Sequence, residues 1–274
     1  MAISAAPIIL SCVNLKGGVG KTAISVNFSA FCGRNDFKTL LIDLDPQTNA
    51  TFSCMSLDAW TAHSKEHGTV ADLLGVRQHT VAEGKQKTAS DVLVRNVFRG
   101  VDLIPSHVEL FTIDLDLGSD VARETRLRRS VKELVGEYDI IVCDCPPNLT
   151  IPTQNAIALS THYVVPVSPD FLSSLGIALL LTRVKRLADD LESEIAHAGI
   201  VMSRVGRPSQ FRERTIETLR QEFKDKVFAT EIKERSSVSE SAAKNVSIFD
   251  MTDAQAAYEF RSFSEELLKE LGLK

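Results

Sequence analysis

An apolar run, Ile8–Val13, leads into Asn14-Leu15-Lys16-Gly17-Gly18-Val19-Gly20-Lys21-Thr22, and a helical pattern follows from Lys21 to about Cys32. Strand, glycine loop and helix in that order restrict the start of the chain to one unit, a buried strand turning sharply into a helix N-terminus. The glycines let the backbone fold tightly and aim successive N–H groups inward. The helix start adds about half a positive charge to the same spot. Such a loop cradles phosphate groups, with Lys21 reaching the outer phosphates and the Thr22 hydroxyl able to ligate Mg²⁺. The strict G-x4-G-K-[ST] spacing is not met, because Leu15 stands at its first glycine and a second lysine, Lys16, stands at the front.

The remaining chain repeats the alternation of β-branched runs and amphipathic stretches. Strands are predicted at Thr39–Leu44, Val101–Ile104, Asp139–Cys145, Tyr163–Val167, Ile200–Val205 and Val227–Ile232. Helices are predicted at Arg123–Val135, Gln154–Leu159, Leu172 to about Leu191, Gln210–Phe223 and about Asp253 to Leu271. The last places Ala256, Phe260, Phe263, Leu267 and Leu271 on one face. Strands that are apolar throughout and separated by helices imply a parallel sheet covered on both faces. The fold expected is α/β, a single doubly wound, mostly parallel sheet with helices on both faces, spanning residues 1–274 as one domain. A polar stretch, about 56–90, reads as a surface excursion with a short helix near Thr69–Leu74.

Two strand ends carry acids. Leu41-Ile42-Asp43-Leu44-Asp45-Pro46-Gln47 leaves two carboxylates where open α/β sheets place their ligands. One could hold a metal shell and the other orient a water. Asp139-Ile140-Ile141-Val142-Cys143-Asp144-Cys145-Pro146-Pro147 ends a second apolar strand in Asp144, the expected partner of a phosphate loop, bound to Mg²⁺ through water.

The net charge of −5 excludes a globally basic nucleic-acid binder but not a local basic patch. No apolar run approaches the ~18 residues that span a bilayer, and the start has no basic n-region of a signal peptide. The five cysteines are odd in number, and Cys143-x-Cys145 is too tight for the usual zinc spacing. Buried thiols in a reducing cytosol are expected.

The motifs KGGVGKT (Lys16–Thr22), LIDLDPQTNAT (Leu41–Thr51), DIIVCDCPPNL (Asp139–Leu149), VVPVSPD (Val164–Asp170) and VSES (Val238–Ser241) together resemble the ParA/MinD group of deviant Walker A P-loop ATPases, and more closely its ParA (Soj-like) partition ATPases. The resemblance covers nearly the whole chain. It implies ATP and Mg²⁺ as cofactors and an ATP-dependent homodimer that hydrolyses ATP slowly unless a partner stimulates it. It implies that Lys16, the signature lysine, crosses to the partner's nucleotide, that Asp45 orients the attacking water, and that Thr22, Asp43 and Asp144 support Mg²⁺. Gly17, Gly18, Val19, Gly20, Lys21 and Ala23 would line the nucleotide, with Ser203 near the base. It further implies a cytoplasmic, nucleoid-associated protein that binds DNA without sequence preference and meets a ParB-like or cargo adaptor, in order to segregate or position plasmid, chromosome or protein cargo.

For DNA the chain offers Arg204, Arg207, Arg212 and Arg214, joined later by Lys233 and Arg235. Each phosphate neutralised would steepen the salt dependence by about 0.9 in log–log slope. The cluster Arg123, Arg126, Arg128, Arg129 and Lys132 reads instead as a solvated, mixed-charge helix face. Two departures from the family pattern stand out, Ala23 where many relatives have Thr, and Lys233-Glu234 where many have Pro-Arg. The terminal helix carries Glu259, Glu265, Glu266 and Glu270, which disfavour an anionic bilayer, so packing on the sheet is expected rather than membrane targeting. The alternative is a MinD-like or polar switch that recruits protein partners without DNA.

Overall fold

A computed structural model describes residues 6–76, 87–118, 120–170 and 173–273. Along the chain, β1 (Ile8–Cys12) runs through the glycine loop into α1 (Lys21–Arg34), and β2 (Thr39–Asp43) is followed by three helices, α2 (Asn49–Cys54), α3 (Leu57–Glu66) and α4 (Val70–Leu74). The hairpin β3 (Val94–Phe98) and β4 (Val101–Ile104) leads through short helical turns, α5 (Ile113–Asp116), α6 (Arg126–Ser130) and α7 (Lys132–Val135), to β5 (Ile140–Asp144). Then come α8 (Ile151–Leu159), β6 (His162–Val167), α9 (Ser173–Asp190), β7 (Ala196–Val205), α10 (Gln210–Phe223), β8 (Val227–Lys233), α11 (Ser236–Ala243) and α12 (Ala254–Glu270).

The strands form one sheet in the order β3-β4-β2-β5-β1-β6-β7-β8. Every pairing is parallel except that of the edge strand β3 with β4. Because β1 lies between β5 and β6, successive crossovers turn outward in opposite directions from it. The crevice beyond the strand ends opens there, and the glycine loop leaves β1 into it. Side-chain alternation divides the core between the two faces. Ile9 and Val13 join the apolar cluster that holds α4, α6, α8 and α9, while Leu10 and Cys12 join the one that holds α1 and α12.

The expected face of α12 is buried, with Ala256, Phe260, Phe263, Leu267 and Leu271 all inside. Its glutamates pin it to the edge of the sheet. Glu266 accepts the Ala229 and Thr230 amides at 2.7 and 3.0 Å, and Glu259 accepts the Lys233 amide at 3.0 Å. Those carboxylates face protein, as packing on the sheet requires. No helix among the described residues is long and apolar enough to cross a membrane.

Two expectations need correction, and one strand was not anticipated. The stretch 56–90 is not simply a surface excursion: Val70, Ala71, Leu73 and Leu74 are buried in the core, and Trp60 donates from Nε1 to the Ser106 carbonyl at 3.0 Å. Its residues 77–86 lie outside the described residues. The helix expected at Arg123–Val135 is broken into a 3₁₀ turn and two short helices, with Val131 at φ −94°, ψ 2° between them. Asn155 of α8 accepts the Leu127 amide at 2.9 Å and so fixes this irregular path. The edge strand β3 carries no alternation to reveal it, and Asn96 within it takes a left-handed φ of 54° while its amide bonds Asp102.

Candidate functional site

The glycine loop closes on itself through Asn14, which donates to the Pro166 carbonyl at 2.6 Å and accepts the Lys16 amide at 2.9 Å. Gly18 (φ 73°) and Gly20 (φ 90°) take left-handed conformations that other residues adopt only with strain. At Gly20 a Cβ would lie 2.4 Å from Ser203 Oγ, so the missing side chain makes the room in which the loop curls. Lys21 opens α1 and is buried, its Nζ donating to the carbonyls of Lys16 and Asn14 at 3.1 and 3.3 Å. Val19 is buried beneath the loop. Lys16 is opposite in character: its side chain is 58% exposed and ion-paired to Asp170 of the same chain.

Behind the loop, Asp144 accepts from Thr22 Oγ1 at 2.8 Å and Ser25 Oγ at 3.0 Å. Asp43 is its register partner on the adjoining strand. Asp43 faces its own strand exit, where it accepts the Thr51 amide and hydroxyl at 2.8 and 2.7 Å and the Asp45 amide at 3.0 Å. Asp144 therefore stands directly behind the Thr22 hydroxyl, while Asp43 shapes the turn that carries Asp45. Asp45 lines the cavity, only 6% exposed, and accepts the Gln47 amide at 2.9 Å. Burial pushes all three carboxyls above the usual range. In Asp43 the neighbouring Asp144 adds to that shift, and in Asp144 the Thr22 hydroxyl opposes it.

These groups border a cavity of about 610 Å³ that runs from Gly17–Ala23 to the exit of β8 and α11. Lys21, Thr22, Asp45 and Gln47 give its wall polar groups, and Val26, Ile232, Val238 and Val246 add apolar surface. Gly17, Gly18, Gly20, Ala23 and Ser203 line it, with Ser203 set against Gly20 of the loop.

The six basic residues assigned to DNA are divided by the structure. Arg207, Arg214 and Lys233 are exposed. Arg212 is half-buried, its guanidinium on the Arg207 carbonyl. Arg235 is held by Glu259 at 2.8 Å and Asp253 at 3.9 Å. Arg204 is also exposed, but its side chain folds over the loop, donating to the Gly18 carbonyl at 2.8 Å and pairing with Glu234. In the second cluster Arg123 pairs with Glu124, and Arg126 pairs with Asp120, the mixed-charge face expected there. All five cysteines are free and buried, and burial raises the pKa of each thiol. Among the described residues no group of acids, histidines and cysteines forms a metal cluster site.

Sequence reasoning missed Ser25, although its place one helical turn beyond Thr22 marks it as a second hydroxyl on that face. It also missed Thr51 and Ser106, which tie the Asp43 turn to the next strand: Ser106 accepts nothing from Thr51 but donates its amide to Thr51 Oγ1 at 2.9 Å and its hydroxyl to the Asp45 carbonyl at 2.7 Å. No local signal points to them, since the contacts join residues far apart in the chain.

A buried strand, a left-handed glycine cradle, a lysine at the helix start and a Thr–Asp pair behind it define a P-loop nucleotide-binding protein. The AAA domain family model matches residues 8–197. The chain is similar to the chromosome-partitioning ATPase Soj of Treponema pallidum, 32% identical over 89% of this chain and 90% of that protein. It is also similar to the sporulation initiation inhibitor protein Soj of Bacillus subtilis, 29% identical over 88% and 91%. The fold matches a plasmid partition protein from Borrelia burgdorferi (TM-score 0.76, 22% identity, 97% and 100% covered). It equally matches cobyrinic acid a,c-diamide synthase from Mycobacterium smegmatis with bound ATP analog and magnesium (TM-score 0.77, 23% identity, 97% and 96% covered). The chain belongs to the ParA/Soj family of P-loop partition ATPases.

Proposed function

We propose that the protein is an ATP-driven positioning switch that dimerises on ATP, binds nucleoid DNA without sequence preference, and is released when a ParB-like or cargo adaptor stimulates hydrolysis. The observation that carries this reading is the division of labour between two lysines on one loop. Lys21 is buried within the cradle, whereas the Lys16 side chain projects from its front, 58% exposed and ion-paired to the half-buried Asp170. An exposed ion pair is worth little, about 0–1 kcal/mol, so Lys16 can exchange Asp170 for a facing subunit's nucleotide at small cost.

The residues present fit ATP and Mg²⁺. The left-handed Gly18 and Gly20 leave the space and amides for phosphates, and Thr22 Oγ1 backed by Asp144 forms a hard oxygen donor set. Thr22 and Asp144 would hold Mg²⁺, with Asp43 in support through its neighbouring strand position, and the cation would neutralise charge on the outer phosphates. Asp45, at the cavity wall and fixed by the Gln47 amide, is suited to orient a water. Charge developing on the transferred phosphoryl group needs cations in a water-poor site. Lys21 supplies one in each subunit, and Lys16 would supply the second only across a dimer, so turnover follows assembly.

The test is ATP-dependent dimerisation by light scattering, with adaptor-stimulated turnover measured in parallel. Lys16→Ala is expected to abolish the stimulated turnover; a wild-type chain that remains monomeric with ATP, or a Lys16→Ala variant with intact stimulated turnover, would falsify the reading. A second reading is a nucleotide switch that recruits protein partners without DNA. It gains support from Arg204 and Arg235, whose guanidinium groups are engaged within the chain. A salt-titrated DNA mobility assay with ATP separates the two: Arg207, Arg212 and Arg214 changed together to Glu remove DNA binding under the first and leave nothing to remove under the second.

A further inference from the structure

Strand β7 loses register with β8 just where it reaches the nucleotide cavity. Met202 pairs with Glu231 and Val205 with Lys233, so three steps along one strand meet two along the other. That is a bulge at Ser203 and Arg204, and Arg204 within it has a left-handed φ of 49°. A non-glycine residue there is strained, and such strain persists where neighbouring structure over-determines it. Bulges beside sites re-aim side chains. Here the re-aimed group is the guanidinium, which lies over the phosphate loop on the Gly18 carbonyl and lines the cavity. Glu234 is its counter-ion.

We propose that Arg204 is a nucleotide-binding residue of this chain, a cation supplied in cis whose guanidinium meets the phosphates of the nucleotide held by the Gly18–Thr22 loop, rather than a contact to DNA. The guanidinium has more N–H donors than its bonds to Gly18 and Glu234 use, and its planar fork suits phosphate oxygens. Glu234 keeps the charge partnered while the cavity lacks an anion. It also holds the side chain above the loop, so that little ordering remains for when the anion arrives. Ser203, buried against Gly20, anchors the same bulge from below. Its side chain stays half exposed at the rim of the cavity, and what the bulge fixes is its direction, across the loop onto the Gly18 carbonyl.

This inference rests on the nucleotide-binding reading but not on dimerisation or DNA binding, so it is tested on ADP. The full chain is titrated with Mg²⁺ and fluorescent ADP at low salt. Arg204→Ala is expected to weaken ADP about tenfold, the loss of one charge-assisted contact. Arg204→Lys keeps the charge without the fork and is expected to fall between the two. Arg204→Asn tolerates the left-handed backbone and is expected to match Arg204→Ala, which excludes misfolding as the cause. Raising salt should narrow the gap between wild type and Arg204→Ala. Arg99→Ala, far from the loop in an exposed pair with Asp36, is expected to bind as wild type. A wild-type chain that binds no ADP overturns the nucleotide reading and this inference with it. Wild-type affinity in Arg204→Ala and Arg204→Asn, with DNA binding lost instead, overturns this inference alone.

Discussion

Replacing Gly20 by alanine perturbs two separable things. The first is backbone conformation, φ 90° and ψ 16°, which a Cβ disfavours by about 1–2 kcal/mol. The second is a collision, because the new Cβ would stand 2.4 Å from Ser203 Oγ. Ser203 Cβ is 3.6 Å from that position, an ordinary contact, so only the hydroxyl oxygen must move. Ser203 is 2% exposed, and forcing its hydroxyl off its present rotamer in so closed a place costs about 1 kcal/mol. The sum is about 2–3 kcal/mol for Gly20→Ala in the wild-type background, and about 1–2 kcal/mol in a Ser203→Ala background, where the oxygen is gone. Urea unfolding of the wild type, both single variants and the double variant measures this as a coupling of about 1 kcal/mol. Additive single effects would refute the idea that Ser203 forms the wall of the cradle. A Gly20→Ala chain as stable as wild type would refute the conformational argument as well. If the argument holds, Gly20→Ala in the Ser203→Ala background regains stability but not nucleotide affinity, since the loop amides remain displaced.

Stability of the nucleotide-free protein should fall as pH rises from about 4 through neutrality. Asp43 and Asp144 are buried with their carboxyl pKa values above those of an unfolded chain, so the native state holds more protons across that window. Urea midpoints at stepped pH are expected to decline, and Mg²⁺ with ADP to flatten the decline by favouring the ionised Asp144; a midpoint that rises with pH would reverse the sign of the argument. Phe263→Ala removes a fully buried ring set edge-on to Phe228 at 5.3 Å and should cost about 3–5 kcal/mol. Tyr258→Ala on the exposed side of the same helix should stay within about 0.5 kcal/mol, so equal losses would remove α12 from the core.

The loop and its two acidic strands were readable before any coordinates because their chemistry is local. Glycine at Gly18 and Gly20, lysine at Lys21 and hydroxyl at Thr22 must follow a strand and open a helix to work at all, so order and residue type carry the information. The same holds for α12, whose apolar spacing at Ala256, Phe260, Phe263 and Leu267 reflects one buried face. The stretch 56–90 misled on burial: its short helix near Thr69–Leu74 was legible, but one turn amid polar residues does not reveal that Val70, Ala71, Leu73 and Leu74 enter the core. The hairpin strand β3 was hidden for the opposite reason: Arg95 and Asn96 look like a loop, and only pairing with β4 and the Asp102 carboxylate hold them extended or turned.

The arginines mark the boundary between the two kinds of knowledge. Charge and spacing grouped Arg204 with Arg207, Arg212 and Arg214, because a sequence records only that cations lie near one another along the chain. Where each cation points depends on partners distant in sequence, Gly18 and Glu234 for Arg204 and Glu259 for Arg235, and on a bulge that exists only because β7 and β8 slip past one another. Residue order alone therefore settled the sheet class, the phosphate cradle and the family. Tertiary pairing decided which carboxylate backs Thr22, which instead shapes the Asp45 turn, and which positive charges remain outside, since those are questions of direction that long-range contacts answer.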